Sequence, residues 1–348
     1  MMGMDGVLCI DKPAGVTSHD VVARVRRALG GPRRGKNRRK VGHAGTLDPG
    51  ATGLLVVAVG RATRLVPWLQ TSTKTYEAEL RLGVATTTLD ASGEVWAQRD
   101  ASHITEDALC EVLREFTGDI TQLPPMVSAV RQDGERLHVK ARRGEDVERA
   151  ERDVTIHDLV LEDFEPGAQG RATFLVTCSP GTYVRTLAAD VGERLGVGAH
   201  LSALRRLGSG RFSVQDAVTV ETVEELAQQG RLAETLLPMA QAVGDLASLV
   251  ADEHQAAALA HGRAVASTGK PGAVAAVDAE GGLLAILEDD GSRAQPKAVF
   301  AQQAGSGSDG PPGGTGAGGS DRPPGGTGAG GSGGPGGGAT GSRQEVGP

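Results

Sequence analysis

Asp48 stands in the sequence VGHAGTLDPGATG, residues 41–53, where four glycines within twelve residues let the backbone come close to a ligand. Pro49 biases Asp48 away from helical geometry, so the spacing predicts a carboxylate carried on a loop. One ionised carboxylate on such a bend can serve as a nucleophile or as a base. His43 lies five residues upstream. Far downstream, GTYVRT at residues 181–186 puts the guanidinium of Arg185 near the start of a helix. The chain has only two tyrosines, Tyr76 and Tyr183, whose rings can fill a core or stack on a planar base. Taken singly, each feature has a plainer reading: an Asp-Pro-Gly turn, a surface arginine, two core rings. A phosphate loop fits poorly, because no Gly-Lys-Ser/Thr closes the segment onto a helix. A metal centre fits no better, since His43 and Asp48 lack a nearby third ligand and the eight histidines are scattered.

The elements that must carry these groups follow from hydrophobic periodicity. Residues 7–10 predict a short buried strand ending at Lys12-Pro13. Thr17-Ser18-His19-Asp20 predicts a capping box ahead of Val21, Val22, Val25, Ala28 and Leu29, in a helix that Gly30-Gly31 stops. Residues 54–59 are an apolar run bounded by glycines, a buried strand. Tyr76, Ala78, Leu80 and Leu82 alternate with Glu77, Glu79 and Arg81, as a half-exposed strand does. Thr105 caps a helix carrying Leu109, Val112, Leu113 and Phe116; residues 172–178 are strand-like; Val184, Leu187, Ala188, Val191 and Leu195 keep helical spacing. This irregular interleaving predicts an α+β fold rather than a doubly wound sheet. Beyond Val243-Gly244 come a short helix near 252–260 and strands near 273–277, 283–287 and 298–300. The turns Glu280-Gly281-Gly282 and Asp290-Gly291 separate them, which predicts a small β-rich appendage.

The 348 residues include 36 Lys or Arg and 43 Asp or Glu, a net charge of −7. Against that background Arg24, Arg26, Arg27, Arg33, Arg34, Lys36, Arg38, Arg39 and Lys40 stand between Asp20 and Asp48 with no acid among them. They make either a solvated basic loop or a local positive field suited to a polyanion. Phosphate affinity carries no base identity, so a reader of nucleic acid also needs a pocket. Residues 304–348 hold 20 of the 52 glycines and 6 of the 17 prolines, and the twelve residues 309–320 recur at 321–332 with one change. That composition predicts a disordered tail. The other 303 residues have ordinary globular composition, enough for one large domain and a small one. Cys9, Cys110 and Cys178 are dispersed, which argues against a disulfide framework and a structural zinc. With no basic leader and no apolar run near ~18 residues, the expectation is a soluble protein of the reducing cytoplasm, with no membrane contact.

The ordered occurrence of several motifs gives these features a joint reading. GVLCIDKPAGVTS at 6–18, VGHAGTLDPGATG at 41–53, Lys74-Thr75-Tyr76, Pro124-Pro125 with Ser128-Ala129, and GTYVRTL at 181–187 follow one another. Gly198-Ala199-His200-Leu201 with Leu204-Arg205-Arg206-Leu207 completes the series within about residues 6–243. Together they resemble the TruB-type family, the bacterial tRNA pseudouridine-55 synthases. The resemblance implies a pseudouridine-synthase fold over 1–245, with a mixed, largely antiparallel sheet flanked by helices and a thumb at about 124–152. A PUA-like RNA-binding domain over 246–303 would follow, leaving 304–348 outside.

The implied reaction turns the uridine of the tRNA T loop into pseudouridine. The N1–C1′ bond breaks, the base turns, and C5 joins C1′. One glycosidic bond is exchanged for another, so neither a cofactor nor a metal is expected. By motif position Asp48 is the catalytic carboxylate, Arg185 the guanidinium paired with it, Tyr76 the ring against the extruded uracil, and Leu204 the apolar residue closing the pocket. Tyr183 matches a pocket wall, Lys12 a buttress of the catalytic loop, and His43 a residue that enters the T loop as the target nucleotide leaves. His138 departs from the pattern, which has tyrosine there in the thumb. The implied partner is tRNA through its T stem-loop, bound by a monomer with no obligate protein partner. The alternatives are a non-catalytic RNA-folding module and a hydrolase that would release free uracil.

Overall fold

A computed structural model describes residues 4–30, 39–125, 131–132, 135–136 and 149–301. Most of the expected thumb, His138 included, lies outside the described residues, as do Arg33, Arg34, Lys36 and Arg38 of the basic stretch and all of 304–348.

The large sheet is built from β1 (Gly6–Lys12), β2 (Val41–His43), β3 (Thr52–Val59) and β4 (Lys74–Leu82), with the hairpin β5 (Val84–Thr86) and β6 (Val95–Gln98) beside it. After β7 (Gly118–Gln122) and the two-residue strands β8 (Arg131–Gln132) and β9 (Glu135–Arg136), the sheet continues with β10 (Arg152–Glu165), β11 (Arg171–Cys178), β12 (Ala199–Ser209), β13 (Phe212–Ser213) and β14 (Val218–Thr219). Its order is β14-β1-β3-β12-β4-β11-β10-β7, with β2 on β3 and β13 on β12. Pairing is antiparallel except for β1 with β14 and for the short contact of β12 with β3. The α+β expectation therefore holds, with a mixed, mostly antiparallel sheet.

Burial explains the strand patterns. Leu55, Val57 and Val59 of β3 face the helices Ser18–Ala28 and Val220–Gln228, while Leu54, Val56 and Ala58 face a second core on the other side. A strand covered on both faces reads as a continuous apolar run rather than an alternating one. β4 alternates, its Ala78, Leu80 and Leu82 entering the core packed by the helices Glu106–Glu115 and Val184–Arg194. Thr17 caps the first helix as expected: its hydroxyl accepts from the Asp20 N–H at 3.1 Å and the Asp20 carboxylate accepts from the Thr17 N–H at 2.9 Å. The fourteen-residue β10 was not foreseen, because RDVTIHDLVLEDFE leaves much of its length exposed and carries too few core positions to signal a strand.

A second sheet of β15 (Ala247–Val250), β16 (Val265–Ala266), β17 (Gly272–Val277), β18 (Leu283–Asp289) and β19 (Arg293–Val299) runs in the order β15-β17-β18-β19-β16. It carries the helix Glu253–Ala260, capped by Asp252. The strand expected at 298–300 begins earlier, at Arg293. Ala275, Leu283, Ile286, Ala298 and Phe300 share one buried cluster with Leu54, Leu65 and Leu69 of the large sheet and its following turn. Arg61 and Arg64 lie over the Phe300 ring, 6.0 and 5.2 Å from its centre, and Arg64 Nη1 donates to the Val299 carbonyl at 2.5 Å.

Candidate active site

The loop carrying Asp48 leaves β2 and returns through β3, and its course is fixed at several points. Ser18 Oγ accepts from the Leu47 N–H at 2.9 Å and donates to the Leu47 carbonyl at 3.1 Å, tying the loop to the first helix. Lys12 is fully buried, and its Nζ donates to the carbonyls of Pro13, Val16 and Pro49 at 2.9, 2.8 and 3.3 Å. Burial pushes its amine down to about 8, while the Asp48 charge acts the other way. The Gly15 N–H also donates to Pro49, at 2.9 Å. The buttress expected of Lys12 is thus present. At the far end Gly53 has φ 95°, and a Cβ there would collide with the main-chain oxygen of Arg206.

Arg185 reaches this loop from the first turn of the helix Val184–Arg194. Its Nε lies 3.0 Å from Asp48 Oδ2 and its Nη1 3.3 Å from Asp90 Oδ2, and Nη1 also donates to the Thr88 carbonyl at 3.4 Å. The side chain of Arg185 is 6% exposed and that of Asp48 43%. That exposure opens not onto a convex surface but into two hollows of about 320 and 280 Å³, which share Asp48, Arg185 and Leu204 as their partition. Burial raises the Asp48 carboxyl above its ordinary range; the Arg185 charge opposes this, and Asp90 adds to it.

Asp90 was not foreseen. It sits in the turn between β5 and β6, where its carboxylate accepts from Thr88 Oγ1 at 2.6 Å, the Ser92 N–H at 2.9 Å and Ser92 Oγ at 2.5 Å. Burial would raise this carboxyl, but the Ser92 and Thr88 hydrogen bonds prevail and hold it below the usual carboxylate range. Leu89 beside it has φ 64°, an uncommon conformation for leucine, and the turn is pinned to β12 by Leu201 N–H to Leu89 carbonyl at 3.0 Å and Ala91 N–H to Leu201 carbonyl at 3.1 Å. The sequence signal was the Thr-Leu-Asp-Ala-Ser-Gly spacing of a side-chain-closed turn.

The larger hollow gathers five of the six site residues: Asp48, Tyr76, Tyr183, Arg185 and Leu204. Tyr76 comes from β4 and Leu204 from β12, neighbouring strands whose register sets Leu204 opposite Ala78. Tyr183 caps the Arg185 helix, and its main chain is clamped by Gln122 of β7, whose Oε1 accepts from the Tyr183 N–H at 2.9 Å and whose Nε2 donates to the Tyr183 carbonyl at 3.3 Å. His43 does not line the hollow. It sits on β2 with its ring edge-on to His19, centroids 5.3 Å apart, and burial with the His19 charge holds it below its ordinary value. The cleft is chemically a small chamber with one carboxylate, a guanidinium that orients it, and an aromatic ring and a leucine side chain able to hold a flat ring.

Known proteins resemble the chain over most of its length. Residues 33–184 match the TruB family pseudouridylate synthase N-terminal domain, 185–244 the tRNA pseudouridylate synthase B C-terminal domain, and 247–301 the tRNA pseudouridine synthase II C-terminal domain. The chain is 46% identical over 305 residues to a tRNA pseudouridine synthase B of Thermobifida fusca, covering 85% of this chain and 99% of that one. It is 51% identical over 263 residues to a tRNA pseudouridine synthase B of Symbiobacterium thermophilum, covering 76% and 84%. Among solved structures, an H/ACA RNP bound to a substrate RNA containing 2′-deoxyuridine aligns with a TM-score of 0.65 at 27% identity, covering 86% of each chain. The chain belongs to the TruB family of pseudouridylate synthases.

Proposed function

We propose that this enzyme acts on tRNA and converts uridine 55 of the T loop into pseudouridine, with Asp48 as the essential carboxylate. The observation that carries the reading is the 3.0 Å contact of Arg185 Nε with Asp48 inside a cleft walled by Tyr76 and Leu204, in a chain of this family. The target base leaves its stack and enters the cleft, at a cost of a few kcal/mol. Asp48, kept ionised and aimed by Arg185, acts at the ribose, either on a carbon or on the C2′ proton. The detached uracil turns between Tyr76 and Leu204 and rejoins C1′ through C5. His43, outside the cleft at the end of β2 where the Asp48 loop begins, fills the space the nucleotide vacates. Catalysis takes place in the cytoplasm, in a monomer needing no protein partner.

The test is to incubate the chain with an unmodified tRNA transcript in metal-free buffer and to map pseudouridine. Product at the T-loop position is expected from the parent chain, and none from Asp48→Asn, which should still bind tRNA with affinity within ~3-fold, since phosphate contacts dominate binding. Binding without product from the parent chain would turn the reading to an RNA-folding module. Free uracil would indicate a hydrolase.

A further inference from the structure

Asp48 and Asp90 share the guanidinium of Arg185, so on that side of the cleft carboxylates outnumber the cation that pairs them. The opposite side carries the reverse imbalance. Lys74 and Arg206 both line the larger hollow, and among the described residues neither forms an ion pair with a carboxylate. Register puts the two cations together. Arg206 of β12 lies directly opposite Tyr76 of β4, and Lys74, two residues before Tyr76, is on the same face of its strand. Exposure orders the groups by depth: the Asp48 side chain is 43% exposed, Lys74 6% and Arg206 1%. A nucleotide that brings its sugar to Asp48 has only its base to send to the cationic floor.

That floor is short of acceptors. A guanidinium has five N–H groups and an ammonium three. Arg206 donates from Nε to the Leu54 carbonyl at 2.7 Å, from Nη2 to Gly45 at 3.2 Å and from Nη1 to Thr46 at 3.5 Å, which leaves one N–H on each Nη without a carbonyl. Lys74 Nζ donates to the Gln70 carbonyl at 2.7 Å and to that of Ser72, leaving one more. Directly opposite Lys74, Ser209 Oγ is buried with no partner among the described residues. Carbonyl dipoles do not cancel a buried charge, and an unmatched buried donor is costly until an acceptor arrives. Burial and the Arg206 charge push the Lys74 amine down to about 8, so it is still cationic at neutral pH, while burial raises the Tyr76 hydroxyl, which offers no charge in return. A ligand must supply both the acceptors and the negative charge.

We propose that Arg206 and Lys74 form an anion-stabilising floor for the detached base, taking up the negative charge that uracil acquires when its N1–C1′ bond breaks. The proposal rests on the synthase reading above and names what that cleft does for the leaving group. Whether Asp48 attacks C1′ or removes the C2′ proton, the N1–C1′ electron pair departs with N1. The base becomes a monoanion whose charge spreads over N1, O2, O4 and C5, and two of those atoms are carbonyl oxygens suited to the spare N–H groups. When C5 joins C1′, the new bond consumes that pair and the ring is neutral again. The cleft is thus polarised along the reaction: carboxylate beside the sugar, which loses electrons, and cations beside the base, which gains them. The same attraction keeps the free base in place while it turns.

The test varies the leaving group. T stem-loops are made with uridine or with 6-azauridine at the target position, the extra ring nitrogen making the departing base a more stable anion, and N1–C1′ cleavage is followed in a single turnover. On the uridine RNA, Arg206→Gln is expected to slow cleavage ~100-fold with RNA affinity within ~3-fold, and Lys74→Gln to slow it ~10-fold. On the 6-azauridine RNA both losses should shrink by ~5-fold or more, because a base that holds its own charge needs less help, and Arg206→Lys should recover part of the rate on uridine. A loss of equal size on both RNAs means a packing role and overturns the proposal. A loss of RNA affinity with cleavage retained would assign the pair to a backbone phosphate and overturns it too. Should Arg206→Gln not fold, the same comparison in Lys74→Gln decides. A parent chain making no pseudouridine from the uridine RNA would instead sink the synthase reading itself.

Discussion

Burial raises the Asp48 carboxyl and the Arg185 charge opposes this, so its charged form is held against its surroundings. A carboxyl whose folded value lies above its unfolded one contributes stability only below the unfolded value, and that contribution is lost as pH rises through the folded value. Ionising Asp48 therefore costs stability, and Asp48→Asn should abolish turnover while leaving Tm unchanged or raised, Arg185 retaining Asp90 at 3.3 Å. Asp90 has the opposite sign: its carboxyl is lowered, so its contribution is present above the unfolded value and lost on acidification. Asp90→Asn should lower Tm at pH 7 by a few degrees, and the deficit should shrink on acidification; thermal melts of the two variants at two pH values check both signs. The acid limb of kcat should lie above the ordinary carboxylate range and move higher in Arg185→Gln, which removes the opposing charge; a limb that stays put would contradict the pairing.

At the scale of elements, the site depends on β3 and β12 meeting in parallel at Gly53 and Arg206. Gly53→Ala adds a methyl at φ 95° against the Arg206 main chain, and should lower stability by ~2 kcal/mol or more, read by chemical denaturation, with turnover falling alongside. The capping box at Thr17, the alternation of β4 and the apolar run of β3 were legible because each is a local pattern. The pairing of Asp48 with Arg185 was legible only through the order of the motifs. Asp90 and Gln122 were not, for a common reason: each gets its meaning from a partner far along the chain, Asp90 from Arg185 and Gln122 from Tyr183. Alone, Asp90 is a turn aspartate and Gln122 a strand glutamine. His43 shows the converse, since proximity in sequence to Asp48 did not bring it into the cleft.

At the scale of the molecule, binding and chemistry draw on different parts of the chain. A net charge of −7 means that affinity for a polyanion must come from a local basic stretch. The logarithm of tRNA affinity should fall linearly with that of salt, with a slope near −0.7 to −0.9 for each phosphate neutralised, and replacing Arg33, Arg34, Lys36, Arg38, Arg39 and Lys40 by glutamine should flatten it. Truncation after Gln303 should leave turnover on tRNA within ~2-fold, because the family match ends at residue 301. The common core beneath the two sheets, sealed by Phe300 under Arg61 and Arg64, has a metric consequence. A module that cannot swing on a hinge acts as a calliper, its jaws set at one opening. A stem one base pair longer or shorter, presented to both sheets at once, would have to bend to touch the second jaw, and would lose residence time before any change appeared in the chemistry of the base.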